Sequence, residues 1–265
     1  MSDPSAPVGV FDSGLGGLSV LLELRAMLPS EDVVYYADSA HCPYGGRAPE
    51  YILARSAAAT EYLLSQGAKL IVVACNTASS VALRDLRARY DVPIVGMVPA
   101  VKPAAAATRS GKIGVLATPR TVTGESLVAL IREHARSTEV FSVPAPGLVE
   151  LVEHGKLAGL EVEDALLPLL EPLLCRGVDT VVLGCTHYPF LRSEIQRLGG
   201  PDLAIIDSGR AVARRTHEVL DQHDALRPAG AQGWLELYTS GEPEHVSEVA
   251  SRLLGMQVSA THLPL

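Results

Sequence analysis

The stretch KLIVVACNT at residues 69–77 determines the fold class predicted for this chain of 265 residues. Its apolar run LIVVA has the length and β-branched content of a buried strand, and a helix is predicted from about Thr77 to Tyr90. The stretch DTVVLGCTH at 179–187 repeats the pattern. Buried strands that lead directly into helices indicate a parallel sheet covered by helices.

The same alternation extends in both directions from these two stretches. A helix is predicted from Leu18, another starts at Pro49 and ends before Gly67, and further helices cover VTGESLVALIREHA and residues 161–175. The predicted strands are 7–11, 33–37, 69–74, 93–97, 112–117, 139–143, 179–184 and 204–206. Ligand sites of such parallel sheets lie at the carboxyl ends of the strands.

Two pairs of positions indicate an internal repeat. The strand sequence GVF at Gly9 corresponds to GVL at Gly114, 105 positions later, and Cys75 corresponds to Cys185, 110 positions later. One loop accommodates the difference between these offsets, so we predict two related α/β halves. The segment after Gly209 is expected to complete the sheet of the first domain.

Composition places the chain among folded globular proteins and limits its partners. Apolar residues make up 48% and charged residues 20%, unlike disordered chains. The 30 acidic and 22 basic side chains give a net charge of −8, which argues against a broad nucleic-acid surface. No basic, apolar leader and no apolar run near the roughly 20 residues of a membrane helix is present. We expect a cytoplasmic protein without membrane or nucleic-acid partners.

The cysteines divide into two pairs by their surroundings. Four cysteines are too few and too scattered for a disulfide framework, so free thiols are expected, and no zinc cluster is predicted. A cysteine after an apolar run is usually a small buried hydrophobe. Cys75 and Cys185, however, occupy equivalent places where a helix N-terminus can lower a thiol pKa. We therefore predict that these two are functional and that Cys42 and Cys175 are not.

Two equivalent thiols suit one kind of chemistry. A stereocentre that is inverted loses a proton from one face and gains a proton on the other face. A thiolate and a thiol on opposite faces provide the base and the acid, and they exchange roles with direction. This chemistry needs no cofactor.

Polar residues follow the first two strands and the last thiol. Asp12 and Ser13 either cap a helix or bind polar groups of a substrate. The sequence PYGG at 43–46 is either a plain turn or a loop whose N–H groups and Tyr44 hydroxyl line an anion site. His187 is either a packed histidine or a group that holds and supplies a proton.

Two cofactor-dependent interpretations also remain open. Gly14, Gly16 and Asp38 partly match a dinucleotide-binding fingerprint, although Ser19 stands where that fingerprint has its last small residue. Lys102 is a candidate Schiff-base lysine for pyridoxal phosphate, and a solvated lysine explains it as well.

Seven segments together give the chain a specific resemblance to a known family. They are VFDSGLGGLSVL, YYADSAHCPYG, VVACNTASSVAL, PIVGMVPAVKPAA, IGVLATPRTV, VVLGCTHYPFL and IIDSG, in this order over residues 8–209. With them the chain resembles the glutamate racemases, cofactor-independent members of the aspartate/glutamate racemase superfamily. The resemblance implies two pseudo-symmetric, flavodoxin-like three-layer α/β domains with parallel sheets and the active site at the domain interface. It implies a discontinuous first domain, 1–98 with 208–265, and a second domain, 99–207.

The resemblance also implies which residues form the site. Cys75 of ACNT and Cys185 of GCTH match the catalytic thiols, and Asp12 and His187 are implied to assist them. The implied substrate-binding positions are Asp12, Ser13, Pro43, Tyr44, Gly45, Asn76, Thr77, Thr186 and His187.

A catalytic glutamate is implied near the site as well. Glu153 of LVE fits the family position, and Glu150 is the alternative register. The chain departs from the family at Ala145, where this segment commonly has cysteine, and at Gly46, where a polar residue often follows PYG.

The implied reaction interconverts L- and D-glutamate and supplies D-glutamate for bacterial peptidoglycan, without a cofactor or a metal. The implied partner is glutamate, and a homodimer is compatible with the resemblance. The acidic balance gives no support to binding of DNA gyrase, which some relatives are thought to bind.

Other functions remain compatible with the residues. An aspartate racemase or an arylmalonate decarboxylase would keep the fold, although the decarboxylase would leave one thiol unmatched. A nucleotide-dependent oxidoreductase would use the glycine-rich turn after the first strand. A two-lobed amino-acid binding protein would hold glutamate without exchanging its α-proton.

Overall fold

The computed structural model describes residues 3–230 and 232–265, which form two compact units. Unit 1 comprises Met1–Met97 with Gly209–Leu265, and unit 2 comprises Val98–Ser208. Unit 1 is therefore discontinuous in sequence. The domain boundaries implied by the resemblance stay a prediction.

Strands and helices alternate in both units. The strands are β1 (Val8–Asp12), β2 (Val33–Ala37), β3 (Leu70–Val73), β4 (Ile94–Val95), β5 (Lys112–Ala117), β6 (Glu139–Pro144), β7 (Thr180–Leu183), β8 (Ala204–Ile206), β9 (Leu235–Thr239) and β10 (Ala260–His262). The helices are α1 (Leu18–Met27), α2 (Pro49–Ser65), α3 (Asn76–Arg89), α4 (Val101–Ala107), α5 (Pro119–Thr123), α6 (Glu125–His134), α7 (Leu148–Glu153), α8 (Leu160–Cys175), α9 (Arg192–Gly199), α10 (Gly209–Gln222) and α11 (Pro243–Leu254).

The sheet of unit 1 is parallel throughout, in the order β10-β9-β2-β1-β3-β4. Every residue of β1, β2 and β3 is buried, as expected for strands covered by helices on both faces. β9 pairs with β2, from Val33 opposite Leu235 to Ala37 opposite Thr239. The expectation that the C-terminal segment completes this sheet is confirmed.

The sheet of unit 2 is also parallel, in the order β6-β5-β7-β8, which matches β2-β1-β3-β4 of unit 1. The registers agree as well. Gly9 lies opposite Ile71 in unit 1, and Gly114 lies opposite Val181 in unit 2. These pairs keep the sequence offsets of 105 and 110. The predicted α/β fold with two related parallel sheets is confirmed.

The chain leaves the two sheets in the same way. Beyond β3 the N–H of Ala74 donates to the Phe11 carbonyl at 2.8 Å, and beyond β7 the N–H of Gly184 donates to the Leu116 carbonyl at 2.7 Å. Residues 75 and 185 therefore emerge at equivalent points, each at the carboxyl end of its own sheet.

Two predicted elements differ most from the structure. The helix predicted over VTGESLVALIREHA is divided into α5 and α6 at Gly124, which has an extended conformation (φ −75°, ψ 140°). Glycine is a weak helix former, so a break is least costly there. The strand predicted at 93–97 is limited to Ile94–Val95, because Pro93 has no N–H to donate and the Met97 N–H donates to the Ser79 hydroxyl at 3.1 Å.

The starts of two helices agree with the sequence prediction. Helix α1 begins at Leu18 and buries Leu18, Leu21 and Leu24, whereas Leu22 is exposed, and α2 begins at Pro49. None of the helices in residues 3–230 and 232–265 combines the length and the apolar content that crossing a membrane requires.

Candidate active site

The Cys75 thiol is buried at the N-terminus of α3, where the sequence predicts it. Cys75 is the N-cap residue (φ −139°, ψ 120°), and its Sγ accepts a hydrogen bond from the Ala78 N–H at 3.4 Å. The thiol in turn lies 3.7 Å from the Ser13 hydroxyl oxygen, its hydrogen-bond acceptor. β1 and β3 are neighbouring strands, which explains why Ser13 and Cys75 meet.

Asp12 is fully buried beside this thiol and organises the turn after β1. Its carboxylate accepts from the Ser13 N–H at 2.7 Å, from the Ser13 hydroxyl at 3.3 Å and from the Gly17 N–H at 2.7 Å. A Cβ atom at Gly17 would lie 2.6 Å from the Tyr35 hydroxyl oxygen and 2.8 Å from the Asp12 Cβ. Only glycine therefore lets the backbone approach Asp12 so closely.

The environment of Cys75 favours the neutral thiol. Burial raises the pKa of Cys75 well above its ordinary value, and the Asp12 carboxylate raises it further. The Ala78 N–H and the Ser13 hydroxyl act in the opposite direction and are outweighed. The expectation that the helix N-terminus lowers the pKa of this thiol is thus wrong for Cys75, because it left out burial and the neighbouring carboxylate.

Asn76 follows the thiol and has an unusual environment for a buried amide. The residue is 4% exposed, and neither its Nδ2 nor its Oδ1 has a hydrogen-bond partner within the described ranges. Leaving a buried polar atom unsatisfied costs about 1–3 kcal/mol. Such a group is well placed to bind polar atoms of a ligand. Thr77, the next residue, is also buried.

The loop at 43–45 is anchored to Asp38 by a hydrogen bond from Tyr44. The Tyr44 hydroxyl, one of the expected anion donors, instead donates to the Asp38 carboxylate at 2.5 Å. Both Asp38 oxygens also accept hydrogen bonds from Arg55. Asp38 is therefore engaged within the protein, which argues against its use as a ribose-binding acid in a dinucleotide site. Lys102, the candidate Schiff-base lysine, is exposed on α4.

In unit 2 the Cys185 thiol is the first member of a chain of acid–base groups. Its Sγ lies 3.6 Å from His187 Nδ1, and His187 Nε2 lies 2.6 Å from Glu153 Oε1. Cys185 and His187 are buried, and the Glu153 side chain is 15% exposed. Because the carboxylate binds one ring nitrogen, it orients the other ring nitrogen towards the thiol. Glu150, the alternative register, is exposed.

Tyr188 supports this group and was not predicted from the sequence. It is fully buried, and its hydroxyl donates to the carbonyl oxygen of Ala145 at 2.9 Å. The bond joins the turn after Cys185 to the segment that leads into α7, which ends at Glu153. The family departure at Ala145 leaves this bond intact, since the acceptor is the backbone. Thr186 is buried between the thiol and His187 in sequence.

The two thiols differ in the helix that follows them. α3 begins directly after Cys75, whereas the residues after Cys185 form a 3-10 turn at Tyr188–Leu191 before α9 begins at Arg192. The helix expected directly after Cys185 therefore begins only at Arg192.

Comparison with known proteins identifies the family. The sequence profile of the Asp/Glu/Hydantoin racemases matches residues 19–216. A glutamate racemase of Herpetosiphon aurantiacus is 51% identical over 243 residues, which are 92% of this chain and 96% of that protein. The chain belongs to the glutamate racemase family.

Solved structures of the glutamate racemase family share the fold. The Escherichia coli glutamate racemase in complex with L-glutamate and the activator UDP-MurNAc-ala is 34% identical, with 97% of both chains covered and a TM-score of 0.84. The Francisella tularensis glutamate racemase in complex with D-glutamate is 27% identical, with 98% of both chains covered and a TM-score of 0.84.

Proposed function

We propose that this chain interconverts L-glutamate and D-glutamate by passing the α-proton through two thiols, Cys75 and Cys185, without a cofactor. The observation that carries the proposal is the equivalence of the thiols. Each is buried two residues beyond an equivalent parallel strand, and each contacts a polar side chain of its own unit, Ser13 or His187. The reaction is an isomerisation, and its product D-glutamate serves peptidoglycan synthesis and hence the bacterial cell wall.

Glutamate of either hand is the proposed substrate. Family members at 34% and 27% identity hold L-glutamate and D-glutamate, respectively. The proposed binding groups are Asp12, Ser13, Pro43, Tyr44, Gly45, Asn76, Thr77, Thr186 and His187. The unsatisfied amide of Asn76 supports this set most directly, because a substrate carboxylate or ammonium group supplies the missing partners.

The thiols alone do not explain the reaction, because the α-proton of an amino acid is far less acidic than a thiol. Donors aimed at the developing enediolate supply the remaining stabilisation, and exclusion of water strengthens them. The Ser13 hydroxyl, the Asn76 amide and the Thr186 hydroxyl are the proposed donors. Proton removal at one face and delivery at the other face are then the roles of the two thiols.

The two thiols are proposed to differ in the groups that assist them. Burial and the neighbouring Asp12 carboxylate keep Cys75 as the neutral thiol, which is the proton donor in the resting enzyme. Cys185 is the proposed base, and His187, held by Glu153, is proposed to exchange a proton with it during turnover. The two enantiomers have equal free energies, so kcat/KM is the same in both directions, and only kcat and KM separately reflect this asymmetry.

The test follows optical rotation and the α-proton NMR signal together during incubation of the purified protein with L-glutamate in D2O. We expect both signals to disappear at comparable rates without added cofactor and without a new product. Loss of the proton signal without a change of rotation would contradict the two-thiol mechanism. Racemisation of aspartate but not of glutamate would mean that aspartate is the substrate. Binding of glutamate without exchange of its α-proton would indicate a binding protein.

A cytoplasmic location is proposed as well, since all four cysteines are free thiols, as in reducing compartments. The homodimer compatible with the family resemblance stays a prediction.

A further inference from the structure

A buried group of charged and polar residues contacts the loop at 43–45, and the proposed function assigns no role to any of its members except Tyr44. Asp38 follows β2 directly and is 1% exposed. Its carboxylate accepts from the Tyr44 hydroxyl at 2.5 Å, from Arg55 Nε at 2.9 Å, from Arg55 Nη2 at 2.6 Å and from the Ser240 hydroxyl at 2.8 Å. We call Asp38, Tyr44, Arg55 and Ser240 the Asp38 platform.

The platform fixes the direction of the Tyr44 side chain. The phenol is buried and turned towards Asp38, and burial, followed by the Asp38 charge, raises its pKa above the ordinary value. The hydroxyl therefore stays protonated and donates to Asp38. The backbone of the loop, rather than the phenol, is left to meet a substrate carboxylate.

Charge balance within the platform matters because the loop above it is proposed to bind an anion. An uncompensated carboxylate at Asp38 would repel a substrate carboxylate through the poorly screened interior. Arg55 binds both Asp38 oxygens, and its side chain is 12% exposed. The bond to Asp38 raises the pKa of Arg55, so its charge is permanent. The His41 Nε2 atom lies 4.0 Å away from Asp38 and is a weaker partner.

We propose that Arg55 is a positioning residue that sets the affinity for the substrate carboxylate, because it neutralises Asp38 beneath the loop and holds Asp38 where it anchors Tyr44. The inference rests on the proposed function and deepens it. It assigns a role to α2, which carries Arg55 and contributes no residue to the predicted site.

The chain supplies a matched control at the opposite end of β2. Asp32 precedes the strand, is 3% exposed, and pairs with Arg227 while accepting a hydrogen bond from the Trp234 N–H at 2.9 Å. This pair also joins a buried aspartate to an arginine within unit 1. It lies at the amino end of the strand, away from the loop at 43–45. Its loss therefore reports on stability without touching the proposed anion site.

The experiment measures kcat and KM for both glutamate enantiomers, and the melting temperature, in four variants: Arg55→Gln, Arg55→Lys, Arg55→Gln with Asp38→Asn, and Arg227→Gln. We expect Arg55→Gln to raise KM by about tenfold or more, with kcat changed less than about threefold. Arg55→Lys keeps the charge and recovers part of the affinity. The double variant removes both charges and lowers KM relative to Arg55→Gln. Arg227→Gln lowers the melting temperature and leaves KM unchanged.

The inference is overturned if KM is unchanged in Arg55→Gln, if the double variant binds no better than Arg55→Gln, or if Arg227→Gln raises KM equally. If Arg55→Gln does not fold, Arg55→Lys carries the test: its KM for both enantiomers is expected to rise because one ammonium group cannot bind both Asp38 oxygens as the guanidinium does, and a KM equal to that of the unaltered protein overturns the inference. Any of these failures with normal racemisation leaves the proposed function intact. Absence of both turnover and glutamate binding in the unaltered protein would overturn both proposals together.

Discussion

The residues around Cys75 and those around Cys185 occupy equivalent points of two related sheets, yet they give their thiols different neighbours. Next to Cys75 are the Ser13 hydroxyl and the Asp12 carboxylate. Next to Cys185 is His187, and the carboxylate of Glu153 contacts the other ring nitrogen of His187. The strand registers make Asp12 equivalent to Ala117, so the first acid has no counterpart in unit 2.

This difference separates what the repeated backbone provides from what the individual side chains provide. The backbone repeat delivers a thiol to the carboxyl end of each sheet. The side chains then give each thiol different chemistry: a carboxylate beside a buried thiol favours the neutral form, whereas an imidazole beside a thiol can accept or donate a proton. A racemase needs one donor and one acceptor at any moment, so two identical surroundings would serve it less well.

The largest expected effect tests whether both thiols are needed. Cys75→Ala and Cys185→Ala should each lower kcat by about 10³-fold or more, which is about 4 kcal/mol in the barrier, because each removes one of the two proton-transfer groups. Circular dichroism of glutamate measures the rate. Cys175 is an exposed thiol on α8, so Cys175→Ala is the control and should keep most of the activity. Substantial racemisation by either alanine variant would contradict the proposal that both thiols are essential.

The next effect concerns the group found only beside Cys185. Glu153→Gln should lower kcat on the order of 10²-fold, because the amide no longer balances the charge of His187 after it takes the thiol proton. Glu150→Gln, three residues earlier and exposed, should change kcat little. Steady-state kinetics of both variants decide between the two registers. Equal losses would remove Glu153 from the proton pathway.

A smaller effect distinguishes ligand binding from folding at Asn76. Asn76→Ala should raise KM about tenfold in both directions, while the melting temperature stays the same or rises, because a buried unsatisfied amide is removed. Ser79→Ala on the same helix is the control. The Ser79 hydroxyl donates to the Val73 carbonyl at 3.2 Å and accepts from the Met97 N–H at 3.1 Å, so its loss should lower the melting temperature. A destabilised Asn76→Ala variant with unchanged KM would assign the amide to packing.

The smallest effect follows from the raised pKa of Cys75. The unfolded thiol ionises from about its ordinary value of 9.0 upwards, whereas the folded thiol stays neutral. The unfolded state therefore binds fewer protons there, and the free energy of unfolding falls as the pH rises. Between pH 9 and 10 the loss is about 1 kcal/mol. Urea titrations should show this loss in the wild type and a smaller loss in Cys75→Ser; an equal loss in both would mean that Cys75 ionises normally in the folded protein.

The sequence was a good guide to the elements and to where the two candidate thiols lie relative to the strands. Apolar runs such as LIVVA at 70–74 are typical of buried strands, and the helices that follow these runs indicate that the strands are parallel. Cys75, Cys185 and His187 also stand next to strand ends, and position relative to a strand is readable from pattern. A glutamate near the site was implied only by the family resemblance, and the contact between Glu153 and His187 was not predicted.

Interactions between distant segments were not readable in this way. Nothing in the sequence near Arg55 or Ser240 points to Asp38, because their meeting depends on how α2 and β9 pack against β2. The pKa of Cys75 was predicted in the wrong direction for a similar reason. Burial and the charge of Asp12 depend on the folded environment, whereas the helix N-terminus was visible locally.

The late arrival of β9 has a consequence for synthesis on the ribosome. β9 follows the whole of unit 2 in the chain and covers the free side of β2. Translation from the N-terminus therefore delivers all strands of the second sheet while β2 still has an open edge. The Asp38 carboxylate can accept its hydrogen bond from the Ser240 hydroxyl only after β9 has been synthesised, because Ser240 lies just beyond β9. In the nascent chain the residues around Cys185 are therefore all synthesised before β9 can pair with β2 in the sheet of unit 1. Until then the unpaired edge of β2 is a site at which other chains or chaperones can bind.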